Sequence, residues 1–545
     1  MSMVLATTWV RRGVPAPFPK KYEIDEAELN RISDLARLQL EDAQDDLEDS
    51  QFSKVKGGAK ENDADAEDDD EDGGVEVSHE PRSREDEDLK MYNLDDYDNE
   101  PLDDDGQKFS MFGNVKSLAY HAPNEEDPYL VMPEAEREDE EREELQILAD
   151  DNLLLAAKVE DEVAHLEVMV YEDEADNLYV HHDIMLPGVP LCVEWLDFPV
   201  GKNAEGKTKG SFVAVATMRP EIEIWDLDVV DSMYPNAILG QESTGRREEL
   251  NGLNSRIGGK KEKTRKKLKA NDQYHIDAVL SLAANRSHRN LLASASADKT
   301  VKLWDLSTEK CAKSYSMHQD KVCSLDWHPK ETTSLLSGGY DCAAIWTDMR
   351  APDAKAPRWN VDADVEQVRW NVHDSNFIYV TTETGMVYYF DTRTTASSNV
   401  ISKSIWTLQA HDGATSSFDI NPSVPDFLAT GSDDKQVKLW NVKDLRPSMV
   451  VARNLGVGRV FSSEFAPDPE VGFRLAVAGS KGAVQIWDTS TNAAVRQAFA
   501  HRLPAHSKDS EGKERIVGVD NAGSDVDEDD DGEGERAEEW ESMEE

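Results

Sequence analysis

Val301–Lys302–Leu303–Trp304–Asp305 ends a unit that starts upstream with Ala278–Val279–Leu280–Ser281–Leu282 and continues through Asn290–Leu291–Leu292–Ala293–Ser294. Polar turns near Asn285–Ser287 and at Asp298–Lys299 separate the apolar runs. Short alternating or β-branched runs bounded by such turns read as β-strands. The same ending recurs along the chain: Val437–Lys438–Leu439–Trp440–Asn441, Val484–Gln485–Ile486–Trp487–Asp488, Ile222–Glu223–Ile224–Trp225–Asp226 and Ala344–Ile345–Trp346. Val387–Tyr388–Tyr389–Phe390–Asp391 carries Phe for Trp, and Val168–Met169–Val170–Tyr171–Glu172 is the most degenerate copy. The markers stand at 171, 225, 304, 346, 390, 440 and 487. Most gaps lie close to the roughly 40–45 residues of one four-stranded blade. Seven markers predict an all-β, seven-bladed propeller.

Within three units a His, a Ser or Thr, an Asp and a Trp recur in the same order. They are His275, Ser294, Asp298 and Trp304; His318, Ser337, Asp341 and Trp346; and His411, Thr430, Asp434 and Trp440. The units resemble WD40 repeats, and that resemblance implies a hydrogen-bonded chain from Asp through His and Ser or Thr to Trp in each blade. A Ser-His-Asp grouping also invites a hydrolase reading. Against it, the trio repeats at the blade period, and its serines lie inside strands with no Gly-x-Ser-x-Gly elbow. No phosphate-binding glycine loop, HExxH or carboxylate-rich metal loop stands in the repeat region. The sequence therefore predicts no enzyme, no cofactor and no small-molecule substrate.

The charge is concentrated outside the repeats. The 545 residues hold 59 basic and 111 acidic side chains, a formal net charge of −52. Residues 41–144 contribute 39 acidic and 10 basic, and residues 521–545 contribute 13 and 1. Such segments bury too little apolar surface to offset chain entropy and are expected to be disordered. Acidic runs solubilise a protein or meet basic partners such as ribosomal proteins and histones. Cys192, Cys311, Cys323 and Cys342 have neither CxxC nor zinc-ligand spacing, which predicts reduced buried thiols. No stretch approaches the ~20 apolar residues of a membrane helix, so a chain neither secreted nor membrane-spanning is expected.

The domain reading follows. Residues 1–47 are read as a docking arm, with Trp9, Arg11 and Arg12 as partner contacts. Asp25 and Glu28 have capping-box spacing, and Leu29, Ile32, Leu35 and Leu38 give a helical apolar face. A helix packed on its own propeller is the other reading of that arm. Residues 48–90 form an acidic segment. Residues 91–133 form an aromatic-acidic strap, with Phe109 and Phe112 as docking side chains. The propeller spans 134–503, its first blade using Leu145–Leu148 and Leu153–Ala156 and its last using Ala493–Phe499 as a strand. Blades are expected to be nearly contiguous, the ring closing by packing between the first and last. Residues 504–545 form an acidic tail, where Ser524 and Ser542 precede acidic residues in an acidophilic-kinase pattern.

The insertion 241–270 is basic. Residues 245–269 hold 10 basic and 3 acidic side chains, centred on Lys260, Lys261, Lys263, Arg265, Lys266, Lys267 and Lys269. This fits a nuclear import signal, an RNA phosphate contact without base specificity, or a merely solvated loop.

The segments Trp9–Val14 and Phe109–Val115, the repeats and the acidic tail together resemble the periodic tryptophan protein 1 family. The resemblance covers most of the chain outside its low-complexity runs. It implies a nucleolar, non-enzymatic scaffold for large ribosomal subunit assembly, joining pre-60S assembly factors, ribosomal proteins and pre-rRNA. On that reading Trp9, Arg11 and Arg12 anchor the particle, and their removal is expected to leave the propeller folded. Two alternatives stay open. One is a histone- or chromatin-binding propeller. The other is a substrate receptor of a cullin-type ubiquitin ligase, because Phe390–Asp391–Thr392–Arg393 resembles a Trp-Asp-x-Arg box, with a one-residue-shifted version at Trp346–Arg350.

Overall fold

The computed structural model describes residues 2–22, 142–201, 209–240, 271–351, 356–394, 402–502 and 514–519, apart from residues 144 and 162. They form a ring of seven four-stranded antiparallel sheets. The chain begins with β1 (Ser2–Val10) and a two-residue strand β2 (Lys20–Lys21), then runs β3 (Asn152–Glu160), β4 (Val163–Glu172) and β5 (Asn177–Leu186). The first blade is β1-β3-β4-β5. Next come β6 (Pro190–Leu196), β7 (Phe212–Thr217), β8 (Ile222–Asp226), β9 (Val229–Val230) and β10 (Ala237–Leu239). The second blade is β6-β7-β8-β10, while β9 pairs in parallel with β2.

Blades three to five follow chain order: β11 (Val279–Ala284) to β14 (Lys310–Tyr315), β15 (Val322–Trp327) to β18 (Arg358–Asn360), and β19 (Val365–Trp370) to β22 (Trp406–Gln409). Between them lie β12 (Leu291–Ser296), β13 (Val301–Asp305), β16 (Ser334–Gly339), β17 (Ala343–Asp348), β20 (Phe377–Thr382) and β21 (Met386–Asp391). Blade six is β23 (Ser417–Ile420), β24 (Phe427–Gly431), β25 (Val437–Lys443) and β26 (Arg446–Arg453). Blade seven is β27 (Val460–Phe465), β28 (Arg474–Gly479), β29 (Val484–Asp488) and β30 (Arg515–Val519), with a short helix α1 (Ala493–Ala498) before its last strand.

Three expectations change. The N-terminus supplies the innermost strand of blade one, and Leu145–Leu148 forms no strand. This blade is far from contiguous, because residues 11–151 separate β1 from β3. Ala493–Ala498 is helical: the Asn492 side chain caps it by accepting from the N–H groups of Ala494 and Val495. The outermost strand of the last blade comes instead from Arg515–Val519, beyond the expected boundary at 503. The helix expected before Leu47 lies outside the described residues.

The core is a set of seams between blades rather than one central mass. Middle strands are apolar on both faces, as in β7, all six of whose residues are buried. A strand flanked by neighbouring blades must be apolar on each side. Where blade seven meets blade one, Val4, Trp9, Leu154, Met169 and Tyr171 pack with Ala476, Val484 and Ile486. No strand is shared across this seam, so side chains close the ring, as the sequence led us to expect.

The innermost strands raise a further problem. Beyond their single ladder they have backbone N–H groups with no strand partner. Among the described residues, side chains of the preceding blade satisfy seven such groups around the ring: Ala284 to Glu194, Leu325 to Ser281, Val368 to Ser324, Trp370 to Asp326, Phe418 to Gln367, Phe465 to Asp419 and Thr7 to Ser462, at 2.6–3.3 Å. Register irregularities recur just before or around these positions, including Val279/Ser281, Val322/Ser324 and Val460/Ser462. A bulge there re-aims the following side chain. Among the described residues no helix is long and apolar enough to cross a membrane.

Candidate functional site

Two of the three tetrads assemble in full. His275 Nδ1–H donates to Asp298 at 2.9 Å, and its Nε2 accepts from Ser294 Oγ at 2.7 Å. Ser294 Oγ in turn accepts from the Trp304 indole N–H at 2.8 Å. His411, Asp434, Thr430 and Trp440 repeat the chain at 2.8–2.9 Å. The His, Ser or Thr and Trp members are buried, and Ser294 is 0 % exposed. A hydroxyl whose lone pair and proton are both committed below the surface has no route to a substrate. The grouping is structural.

The remaining set loses its tryptophan. His318 bridges Asp341 and Ser337 at 2.9 and 2.8 Å. Ser337, however, pairs with Ile345, where Ser294 pairs with Lys302. The residue equivalent to Trp304 is therefore Thr347. A one-residue offset reverses the face a strand side chain occupies. Trp346 lies instead among aromatic rings, with centroids 6.5 Å from His328 and 5.6 Å from Trp370.

The tetrads make the fold sensitive to acid. Burial pushes the His275 imidazole below its ordinary value, against the pull of Asp298. Burial alone would raise Asp298, but hydrogen bonds from His275 and Thr300 hold it down to about 2. A depressed histidine leaves the unfolded chain to take protons first as pH falls through 6.5. The contribution of Asp298 is present above 3.8 and is lost as pH falls toward 2.

All seven innermost strands line an axial cavity of about 340 Å³. Around Arg369 stand Glu194, Asp326, Asp419 and Glu464, and of these Glu194 and Glu464 line the cavity with Arg369. The sequence reading missed this ring. Its signal was a charged residue directly before an aromatic or apolar one in the innermost strand of five of the seven blades: Glu194–Trp195, Asp326–Trp327, Arg369–Trp370, Asp419–Ile420 and Glu464–Phe465. Burial pushes Asp326 and Asp419 up to about 6, although Arg369 and a backbone N–H oppose it. Burial and then the neighbouring Asp419 push Glu464 up to about 8.

A raised carboxyl lets the folded state hold its proton longer, so stability falls as pH rises from 4.5 to 8 through Glu464. Glu464→Gln removes that penalty. We expect the variant to exceed wild type by about 2 kcal/mol at pH 8, allowing for screening by channel water. The margin should close as pH falls to 4.5, measured by urea unfolding at each pH. An equal margin at both ends would contradict this role.

The predicted docking residues separate into two groups. Trp9 is 4 % exposed, and its indole N–H donates to the Glu464 carbonyl at 3.0 Å. Arg12 donates through Nε to Asn152 at 2.6 Å and pairs with Glu470 at 2.8 Å, while its backbone N–H meets Asp468. Both are ring-closing residues, because β1 lies in the seam between blades seven and one. This overturns the expectation that they form a detached docking arm. Trp9→Phe should cost about 1 kcal/mol through the lost hydrogen bond, read by thermal unfolding, rather than act on a partner alone. Arg11, by contrast, is exposed.

Phe109, Phe112, Ser524, Ser542 and the basic run Lys260 to Lys269 lie outside the described residues. The ends of the basic insertion are described. Gly240 abuts the Trp304 ring, and the Asn271 carbonyl accepts from Lys302 Nζ at 2.6 Å, so both ends lie against blade three. The box-like motifs form exposed forks, with Arg350 on Asp348 at 2.9 Å and Arg393 on Asp391 at 2.7 Å. Among the described residues no group of three or more His, Cys, Asp or Glu is arranged to hold a metal ion.

Comparison with known proteins agrees with this geometry. The WD domain, G-beta repeat family model matches residues 266–305, 309–346 and 402–441. An uncharacterized WD repeat-containing protein of Schizosaccharomyces pombe is 46% identical over 97% of both chains. Periodic tryptophan protein 1 of Saccharomyces cerevisiae is 38% identical over 92% of this chain and 90% of its own. Its Drosophila melanogaster homolog is 30% identical over 92% and 96%. The similarity runs through the insertions as well as the blades, and the chain belongs to the periodic tryptophan protein 1 family of WD-repeat proteins.

Proposed function

We propose that this protein is an assembly factor for the large ribosomal subunit, a scaffold that joins pre-60S particles in the nucleolus and supports pre-rRNA processing. The observation that carries the reading is family membership over nearly the whole chain, together with the ribosomal role that the resemblance implies. A ring whose tetrad His and Ser or Thr residues are buried offers its rims to partners. The basic insertion, tethered at both ends to blade three, supplies charge for phosphate contacts. Pre-60S factors, ribosomal proteins and the rRNA backbone are the partners this reading names. Phosphorylation at Ser524 or Ser542 would deepen the tail's negative charge.

The test is purification of the tagged full chain from nuclear extract, with sequencing of bound RNA and mass spectrometry of bound protein. The reading predicts large-subunit precursor RNA and assembly factors. Core histones without that RNA would replace it with the chromatin reading. A ligase adaptor would favour the receptor reading, which the forks on two adjacent blades, Asp348–Arg350 and Asp391–Arg393, support.

A further inference from the structure

The last strand of the ring is held differently from its counterparts. Two residues join β25 to β26 and four join β13 to β14, but 26 lie between β29 and β30. None of the five residues of β30 is fully buried, and it is an outer strand with a free edge.

What β30 covers is a defined surface. It makes a five-pair antiparallel ladder along β29, from Asp488↔Arg515 to Val484↔Val519. Val517 and Val519 pack on the apolar cluster where blades seven and one meet, which holds Val484 and Ile486 with Leu154 and Met169. Arg515 meets the Asp176 carboxylate and the Asp173 carbonyl across the seam. Gly518 lies under the Gln485 side chain, which occupies the space a Cβ would take. Backbone pairing supplies affinity for any extended chain on such an edge, and pockets for alternate side chains supply specificity.

We propose that β30 is an exchangeable strand, and that the β29 edge beneath it is a docking site for an extended segment of a partner protein. The fitting segment has a basic residue at its first position, aliphatic residues at its third and fifth, and a small residue at its fourth. The first side chain answers the carboxylate of Asp176, and the aliphatic pair answers the apolar seam. A partner bound there adds a strand to blade seven and touches blade one, so it also reinforces the ring where no strand is shared.

The probe is a fluorescein-labelled peptide with the sequence of residues 514–520, titrated into the full chain and into full-length Val517→Asp, which weakens the resident strand. The expected result is at least tenfold tighter peptide binding by V517D than by wild type. A peptide with Glu at the position of Arg515 should bind at least tenfold more weakly. Circular dichroism and thermal unfolding show whether V517D keeps its fold, and a folded V517D that takes up no peptide overturns the proposal. Should V517D fail to fold, amide exchange on wild type decides. The proposal predicts that the amides of β30 exchange at least tenfold faster than those of β26, and equal protection overturns it.

Discussion

Trp304→Ala is expected to destabilise the protein by about 3–5 kcal/mol, with the midpoint of urea unfolding falling accordingly. Its indole is 1 % exposed and packs in the seam between blades two and three with Leu239, Leu292 and Leu306. Truncation opens a cavity there and takes away the donor that holds Ser294 Oγ. The His275 arrangement depends on that hydroxyl, so the loss propagates to the Asp298 turn. Trp346→Ala provides the internal comparison. Trp346 is only partly buried, and it stands one residue off the tetrad position. We expect about 1–2 kcal/mol there. Equal costs at the two positions would mean that the tetrad bond adds nothing to burial.

Arg474→Met should cost a similar amount, about 3–5 kcal/mol, for a different reason. Arg474 is 8 % exposed on β28 and reaches Asp488 at 2.6 Å within its own blade. Across the seam it reaches Asp173 at 2.7 Å and donates to the Tyr171 hydroxyl at 3.1 Å. Methionine fills much of the volume but leaves the 4 % exposed Asp488 without its cation. An uncompensated buried charge is the expensive outcome, whereas removing both partners is often close to neutral. Asp488→Asn in the Arg474→Met background should therefore recover part of the loss. A single-variant cost under 1 kcal/mol in chemical denaturation would show that this cluster does not hold the seam.

These two residues mark what the sequence reveals and what it hides. Trp304 is legible because it repeats at the blade period beside an alternating strand. Trp346 is misread by one residue, since Trp stands where Leu303 stands in blade three and composition alone does not fix register. The seam residues are hidden by distance. β1 meets β3 across 141 intervening residues, and Trp9 followed by two arginines reads as an arm because nothing nearby in the chain pairs with it. β30 is missed for the same reason, being five residues beyond a long connection. The run Ala493 to Phe499 alternates like a strand, yet the Asn492 cap and alanine-rich composition favour a helical turn. The channel carboxylates are obscured in another way. Each is one charged residue in a strand, and their convergence exists only once seven strands share an axis.

The account rests most heavily on β1 being a wall of the ring, bonded to blade seven. Thr7 Oγ1 and Ser462 Oγ lie 2.8 Å apart, which brings positions 7 and 462 within disulfide reach. The most direct measurement is peptide mapping of the Thr7→Cys/Ser462→Cys full chain after mild oxidation. The account predicts a disulfide-linked peptide pair joining residues 2–10 to the segment around 462 in most molecules, with thermal stability at least that of wild type. Two free thiols at these positions in a chain that remains folded would contradict it, and would return the N-terminus to the role of a detached arm.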